Sequence, residues 1–491
     1  MAYKIDFTTP YYNVINNELT STSQTCHGVD PSTEEALPEV PLSGKAEVDR
    51  AVTAGKAAYP AWRSLSWDER ASYLLKLADA IEANHDGIRD LDVAETGKAV
   101  QNASLELVMV LAHLRGTAVL RILDEVVEDT AERTAVVRYR PLGVGAAIIP
   151  WNWPLLLGLG KIGPAVLAGN TKMADQNNFT SVIVKPSPYA PYALLRIGEL
   201  AAKVFPPGVV QVLSGDERLG PLLTEHPGIA KVSFTGSITT GRKVAEVCGR
   251  TLKRVTLELG GNDAAVVCED ADLAKVVPAV SSLAFLCSGQ ICMNIKRVYV
   301  HDKIYDAFLA AMITFIRENM PYGAATDPKT VIGPIQNAMQ YDKVKEFFEE
   351  AEAQKWTVAL GGLKEKAGIK TKGLLFPPTL IDNPSDESRI VREEPFGPIL
   401  PLLRWTEEQD VIHRVNAVEA GLGASVWSSN VERAAKIADA LEAGSVWVNG
   451  HFQVAPNMPF GGHKASGIGM DWGVVGLKGW CNPQGFWTIK A

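Results

Sequence analysis

No stretch of about eighteen consecutive apolar residues occurs in this 491-residue chain, so no helical membrane span is expected. The start, Met1-Ala-Tyr-Lys-Ile-Asp-Phe7, lacks the apolar core of a secretion signal, and the end, Thr488-Ile-Lys-Ala491, carries no peroxisomal or retention tripeptide. A cytoplasmic protein is expected. Cysteine is sparse. The six, at 26, 248, 268, 287, 292 and 481, show no paired metal-ligand spacing, so no metal is expected and free thiols are favoured over disulfides. Basic residues are not in excess: the net charge of -8 argues against nucleic acid as the main partner. There is no internal repeat and no long low-complexity segment. The G-x-G-x-x-G dinucleotide fingerprint is missing too, since Gly143-Val-Gly145 and Phe234-Thr-Gly236-Ser237-Ile-Thr-Thr-Gly241 both fail it.

What is present is the composition of a soluble globular protein, 46% hydrophobic and 21% charged, with length enough for two or three domains. The first third reads as helical. Ser66-x-x-Glu69 resembles a capping box, and Leu74, Leu75, Leu77, Ala78 and Ile81 follow at helical spacing. Residues 105–123 read as a second helix. Short apolar strands follow at 135–140, 145–149, 209–213, 231–234, 255–259 and 264–267, separated by helical stretches such as 190–204 and 241–249. Strand and helix in alternation predict an α/β fold with a parallel sheet, and a second such series runs from about 298 to 447. The polar run Lys172-Met-Ala-Asp-Gln-Asn-Asn-Phe-Thr-Ser181 interrupts this pattern.

Four segments carry possible chemistry. Cys292 follows a glycine-containing turn in Gly289-Gln-Ile-Cys292, a setting suited to an accessible thiol nucleophile. Glu258 ends an apolar strand before Gly260-Gly261, where an unpaired carboxylate is costly unless used as a base or held in a salt bridge. Arg254 shares its predicted face, and Lys253 points the other way. Asn152, in Pro150-Trp-Asn-Trp-Pro154, falls at the C-terminal end of a strand. Its amide can donate to an oxyanion or can cap the helix starting near Pro154. Gly236-Ser237 joins a strand to a helix start, where backbone N–H groups can meet a phosphate or simply form a turn.

Together these segments resemble the aldehyde dehydrogenase superfamily from about Tyr11 to Lys490. The ordered carriers are Pro150-Trp-Asn-Trp-Pro154, Gly163-Pro-Ala-Val-Leu-Ala-Gly-Asn170, Lys185-Pro-Ser187, Phe234-Thr-Gly-Ser237, Leu257-Glu-Leu-Gly-Gly-Asn262, Gly289-Gln-Ile-Cys292, Glu394-Pro-Phe-Gly-Pro398 and Pro459-Phe-Gly-Gly462. The resemblance implies NAD- or NADP-dependent oxidation of an aldehyde to its acid, by the hydrolytic branch. Cys292 would attack the aldehyde. The Asn152 amide and the Cys292 N–H would hold the oxyanion, and Glu258 would activate water on the thioester, with Lys161 and Asp471 continuing its proton path. Trp151 and Ser237 would approach the pyrophosphate, Lys185 the adenosine ribose, and Glu394 the nicotinamide ribose beside Phe396. Ser187, Pro188, Gly215, Phe234, Gly236 and Leu259 complete the implied cofactor site. A CoA-acylating relative would generally lack the Glu258 carboxylate, and a non-enzymatic protein on this fold would not need Cys292, Glu258 and Asn152.

The implied fold is α/β in three parts. A Rossmann-like cofactor domain takes 1–122 and 142–260, a catalytic domain takes 261–465, and a β oligomerisation arm takes 123–141 and 480–491, so a homodimer or homotetramer is expected. The implied tunnel residues are Trp153, Leu156, Leu157, Ile291, Met293 and Phe452. They are mainly apolar, and Gly158 and Gly160 beside them suggest room for an aromatic or long aliphatic aldehyde. The chain departs from the family pattern at four places: Pro188 replaces a ribose-binding Glu, Cys287 an Asn, and Asp471 a Glu, while Lys172–Ser181 splits a familiar segment. Without a carboxylate at 188, use of both NAD and NADP is expected. Residues 172–181 read as a solvated loop or as a stretch absent from the native protein.

Overall fold

A computed structural model describes residues 3–58, 62, 64–168, 181–369 and 372–490. Of the run 172–181, residues 172–180 lie outside the described residues, while Ser181 is not part of a solvated loop: it is the buried first residue of a strand, paired with Val144. The capping box forms: Ser66 accepts from the Glu69 N–H and Glu69 returns a bond to the Ser66 N–H at 2.6 Å, opening a helix over Trp67–Ala83. The helix expected over 105–123 is α1, Val100–Ala118. It stops early because the chain turns back through the Leu120 N–H to Thr117 carbonyl bond, at 3.0 Å. The β-branched run beyond it enters the strand Glu125–Asp129.

Among the described residues one sheet has eight strands. Four adjacent strands in it are β1 (Val144–Ile148), β2 (Ser181–Lys185), β3 (Lys231–Thr235) and β4 (Arg254–Glu258), all mutually parallel in the order β2-β1-β3-β4. All five residues of β1, β2 and β3 are buried, as expected when helices cover both faces. Helices α2 (Pro154–Leu167), α3 (Tyr192–Val204) and α4 (Ile238–Arg250) follow β1, β2 and β3 in the chain. A late strand, β6 (Gly467–Ile468), pairs antiparallel with β4. The second sheet has seven strands and is parallel apart from the antiparallel strand at Thr357–Leu360. Its strand β5 (Asp263–Val267) lies between the strands at Ile295–His301 and Gly423–Trp427. Only Leu259–Asn262 separates β4 from β5, so Glu258 stands at the seam of the two sheets. A third, antiparallel sheet joins Glu125–Asp129, Arg133–Pro141 and Cys481–Ile489. Among the described residues, no helix is long and apolar enough to cross a membrane.

Candidate active site

The Cys292 turn is built from strain and anchors. Cys287, Ser288 and Gly289 have φ of 49°, 61° and 74°, three successive left-handed residues. Non-glycine residues hold that conformation only when their surroundings enforce it. Here Ser288 donates to the Gly333 carbonyl at 2.8 Å, while the Gln290 amide donates to the Cys287 and Pro334 carbonyls and its oxygen accepts from the Gln336 N–H. At Gly289 an added Cβ would come within 2.3 Å of the Gly397 carbonyl. The turn leaves Cys292 half-buried against the apolar core.

Gly260 and Gly261 allow the Glu258 strand end to close on this turn. A Cβ on Gly260 would lie 2.6 Å from a Glu394 oxygen, and one on Gly261 would lie 2.4 Å from the Cys292 carbonyl. Glu258 is buried, and neither of its oxygens has a hydrogen-bond partner among the described residues. Arg254 is exposed and donates instead to Asn482 at 3.2 Å, so the structural salt bridge is not formed. Burial, reinforced by the charge of Asp471 and opposed by Lys161, pushes the Glu258 carboxyl well above its usual range. Lys161 and Asp471 are both buried and in direct ion contact, and Lys161 also donates to Ser233 at 2.9 Å.

Asn152 does not cap α2. The cap position is Trp153, with no side-chain bond, and the Asn152 amide donates to the Gln290 carbonyl at 2.9 Å, which ties it to the Cys292 turn. The first turn of α2 is held from below, where Glu106 accepts from the Leu156 N–H at 2.8 Å and pairs with buried Lys98. Trp153 donates to the Cys287 sulfur at 3.2 Å and meets Phe452 edge to face, with centroids 5.7 Å apart. Trp153, Leu156, Ile291 and Met293 are buried in one apolar cluster, with Leu157, Phe452 and Cys292 packed against it. The two glycines do not widen this region. A Cβ on Gly158 would strike Leu194 at 2.7 Å, and one on Gly160 would strike the Trp472 indole nitrogen at 2.5 Å. The roominess expected from them is corrected: the side chains of Leu194 and Trp472 already fill that space. Trp472 takes φ of 61° to do so and stacks on Phe460, with centroids 4.9 Å apart.

On the other side of Cys292, Lys296 bridges the turn and Glu394. It donates to the Ile291 carbonyl at 2.8 Å and to the Cys292 carbonyl, and pairs with Glu394 at 3.2 Å. Burial pushes the Cys292 thiol up to about 12, with Lys296 as the main opposing charge. Trp151 and Phe396 meet edge to face at 5.4 Å. Phe234, Gly236 and Ser237 form the turn into α4, where Ser237 accepts from the Thr240 N–H at 3.2 Å. Leu259 fills the space over Gly241, where an added Cβ would lie 2.4 Å from it. Lys185 ends β2, buried. Among the described residues its ammonium donates only to the Pro186 carbonyl, and burial lowers it to about 8. Such an under-bonded ammonium at a strand's C-terminal end suits a polar ligand such as a ribose. The carboxylates acting on it are Asp216 and Glu217, beyond Gly215, and the half-buried Pro188 adds no charge. Ser187 accepts from the Tyr189 N–H at 3.3 Å. Lys185, Ser237 and Glu394 have the chemistry to meet the polar parts of a dinucleotide.

Sequence reasoning passed over Lys296, Gln290, Glu106 and Trp472, which set the positions of the others. It also missed Lys231, Ser233 and Thr256, although the alternation Lys231-Val-Ser-Phe-Thr235 in a buried strand was a readable sign.

A half-buried thiol, an amide tied to its turn and a buried carboxylate without a hydrogen-bond partner stand where the two sheets meet, the set of groups that covalent attack on a carbonyl requires. The model of the aldehyde dehydrogenase family matches residues 19–485. The chain is 40% identical to aldehyde dehydrogenase LUC3 of Fusarium sp over 486 residues, 99% of this chain and 100% of that one. An NAD+ complex of aldehyde dehydrogenase from Bacillus cereus superposes with a TM-score of 0.92 at 30% identity, covering 98% of this chain and 97% of that one. An NADP dependent enzyme of E. coli gives 0.92 at 31%, covering 98% of each chain. The protein belongs to the aldehyde dehydrogenase family, and it is an enzyme that oxidises an aldehyde with NAD or NADP.

Proposed function

We propose that Cys292 carries the aldehyde first as a thiohemiacetal and then as a thioester, which Glu258 hydrolyses to the acid. The observation that carries this reading is the close abutment of the Glu258 strand end on the Cys292 turn, through Gly261, with an unpaired carboxylate on one side and a thiol on the other. The Asn152 amide and the Cys292 N–H hold the oxyanion that forms when sulfur attacks the carbonyl carbon. A bound NAD or NADP would supply the acceptor for the hydride that this carbon loses. Glu394 and Phe396 would hold its nicotinamide ribose, Trp151 and Ser237 the pyrophosphate, and Lys185 the adenosine ribose. Glu258 then takes a proton from water as the oxygen adds to the thioester carbon, and Lys161 and Asp471 continue the path.

The wall of Trp153, Leu156, Leu157, Ile291, Met293 and Phe452 supports an apolar aldehyde, aromatic or aliphatic. Pro188 leaves no carboxylate to repel a 2′-phosphate, which supports use of both cofactors, and Pro188→Glu is expected to shift the ratio of kcat/KM values towards NAD. The exposed Val126, Val127, Trp487 and Ile489 on the three-stranded sheet support a homodimer or homotetramer. The deciding experiment is Glu258→Gln with aldehyde and cofactor, followed by intact mass after one turnover. A stable acyl adduct on Cys292 is expected. Unmodified protein together with normal turnover would overturn the assignment.

A further inference from the structure

We propose that Lys231 is a fourth member of the buried proton network: a positioning residue, linked to Lys161 through the side chains of Thr256 and Ser233, that receives the proton Glu258 takes from the hydrolytic water. The proposal rests on Glu258 being the base.

Strand alternation creates the path. Lys231, Ser233 and Thr235 point from β3 to the face covered by α2, and Val232 and Phe234 point into the apolar cluster on the other face. On β4, Thr256 and Glu258 share that polar face. The register pairs Ser233 with Thr256 and Thr235 with Glu258, on strands about 4.8 Å apart. The Lys231 ammonium donates to Thr256, and the Lys161 ammonium donates to Ser233 and Asp471. From Asp471 to Lys231, every step is thus a hydrogen bond or a same-face neighbour on the adjoining strand. At the Glu258 end, the Thr235 hydroxyl and both Glu258 oxygens are buried without a partner among the described residues. A hydroxyl and a base therefore stand side by side with unspent hydrogen-bonding capacity.

The two lysines differ. Lys161 has a carboxylate in contact, whereas Lys231, also buried, has a hydroxyl and the Trp480 ring, at 5.6 Å. The charged groups facing Lys231 are Asp471, Lys161, and Glu258 and Arg254 from β4, while β1 presents Gly145 beside it. Burial dominates these and lowers the ammonium to about 8, so its proton is the loosely held one. Glu258 and Lys231 thus exchange one proton between a doubly charged and a doubly neutral arrangement. As water oxygen bonds to the thioester carbon, its proton passes to Glu258, and the C–S bond breaks with Cys292 leaving as thiolate. Lys231 first gives its own loosely held proton to solvent, and the Glu258 proton then crosses the hydroxyl row to the amine so freed, which restores both the Glu258 carboxylate and the Lys231 ammonium.

The test uses the full-length enzyme with saturating cofactor and a turned-over aldehyde. It measures the first-turnover burst of reduced cofactor and the pH profile of kcat in Lys231→Met, Lys231→Arg and Thr256→Val. In Lys231→Met the burst should persist while kcat falls ~10-fold at neutral pH, and the acid limb should move to higher pH because Glu258 loses a nearby cation. Lys231→Arg should return the limb but not the rate, since guanidinium does not release its proton. Thr256→Val, which keeps the lysine and cuts the link, should slow kcat several-fold, and it decides the matter if Lys231→Met does not fold. Wild-type kcat profiles in the folded variants would overturn the proposal. An unimpaired Glu258→Gln would instead overturn the reading of the base beneath it.

Discussion

At the scale of single residues, Cys292 and Glu258 are each held in a form that costs stability, which makes their predictions separable. Cys292→Ala should lose at least ~10³-fold in kcat/KM yet bind NAD or NADP normally by titration calorimetry, because in the proposed site the thiol meets the aldehyde and Lys185 the adenosine ribose. Glu258 has a folded pKa raised by burial and by Asp471. The folded state therefore binds its proton more tightly than the unfolded chain does. Between the ordinary carboxyl value and the raised one, stability falls as pH rises, and above the raised value the whole penalty is present. Two outcomes are expected. The kcat of the wild type should climb with pH through an apparent pKa above the usual carboxyl range, and Glu258→Gln should abolish that limb. The same variant should be more stable than wild type near pH 9 by ~1 kcal/mol or more, read by denaturant melts at pH 5 and 9, with a much smaller difference at the lower pH. The identities of Cys292, Glu258 and Asn152 were legible because rare residue types stood beside glycines or at a strand end. What those groups touch was not. Asn152 could have been a cap, and only the fold shows its amide bonded to Gln290.

At the scale of elements, the close approaches at glycine decide function and stability in different places. Gly261→Ala would set a methyl 2.4 Å from the Cys292 carbonyl and force the turn away from Glu258. A drop of ~10²-fold in kcat/KM with an unchanged circular dichroism spectrum is expected. Gly160→Ala would press on Trp472 and should cost ~1–3 kcal/mol in urea melts. Pairing it with Trp472→Phe should recover part of that loss. Alternation of strand and helix was readable because apolar period and turn residues repeat through both halves of the chain. The meaning of Gly158 and Gly160 was not, because the side chains that fill their space come from residues 194 and 472. A missing side chain in the sequence became packing in the fold, not open volume. The proton-bearing row was hidden for a related reason: its members lie on β3, β4, α2 and the bridge at Asp471, and it is the pairing register that aligns the two strands.

At the scale of the whole molecule, the three-stranded sheet has two open edges and exposes Val126, Val127, Trp487 and Ile489 at 60–74%. Replacing Trp487 and Ile489 with Glu should lower the sedimentation mass and make activity depend on protein concentration, while wild type keeps one mass over the same range. The late strand β6 has a further consequence, for the timing of assembly. It completes the edge of the first sheet beside β4, and Asp471, which pairs with Lys161, follows it within three residues. The strand Cys481–Ile489 then closes on Arg133–Pro141. A ribosome releasing this chain has therefore exposed the whole of the first sheet's parallel core long before the segment that brings Asp471 beside Glu258 and seals the sheet's edge emerges. Until residues 467–471 arrive, the nascent chain holds the proposed nucleophile Cys292 and the proposed base Glu258 without Asp471, so on that reading hydrolytic competence follows well after both are made.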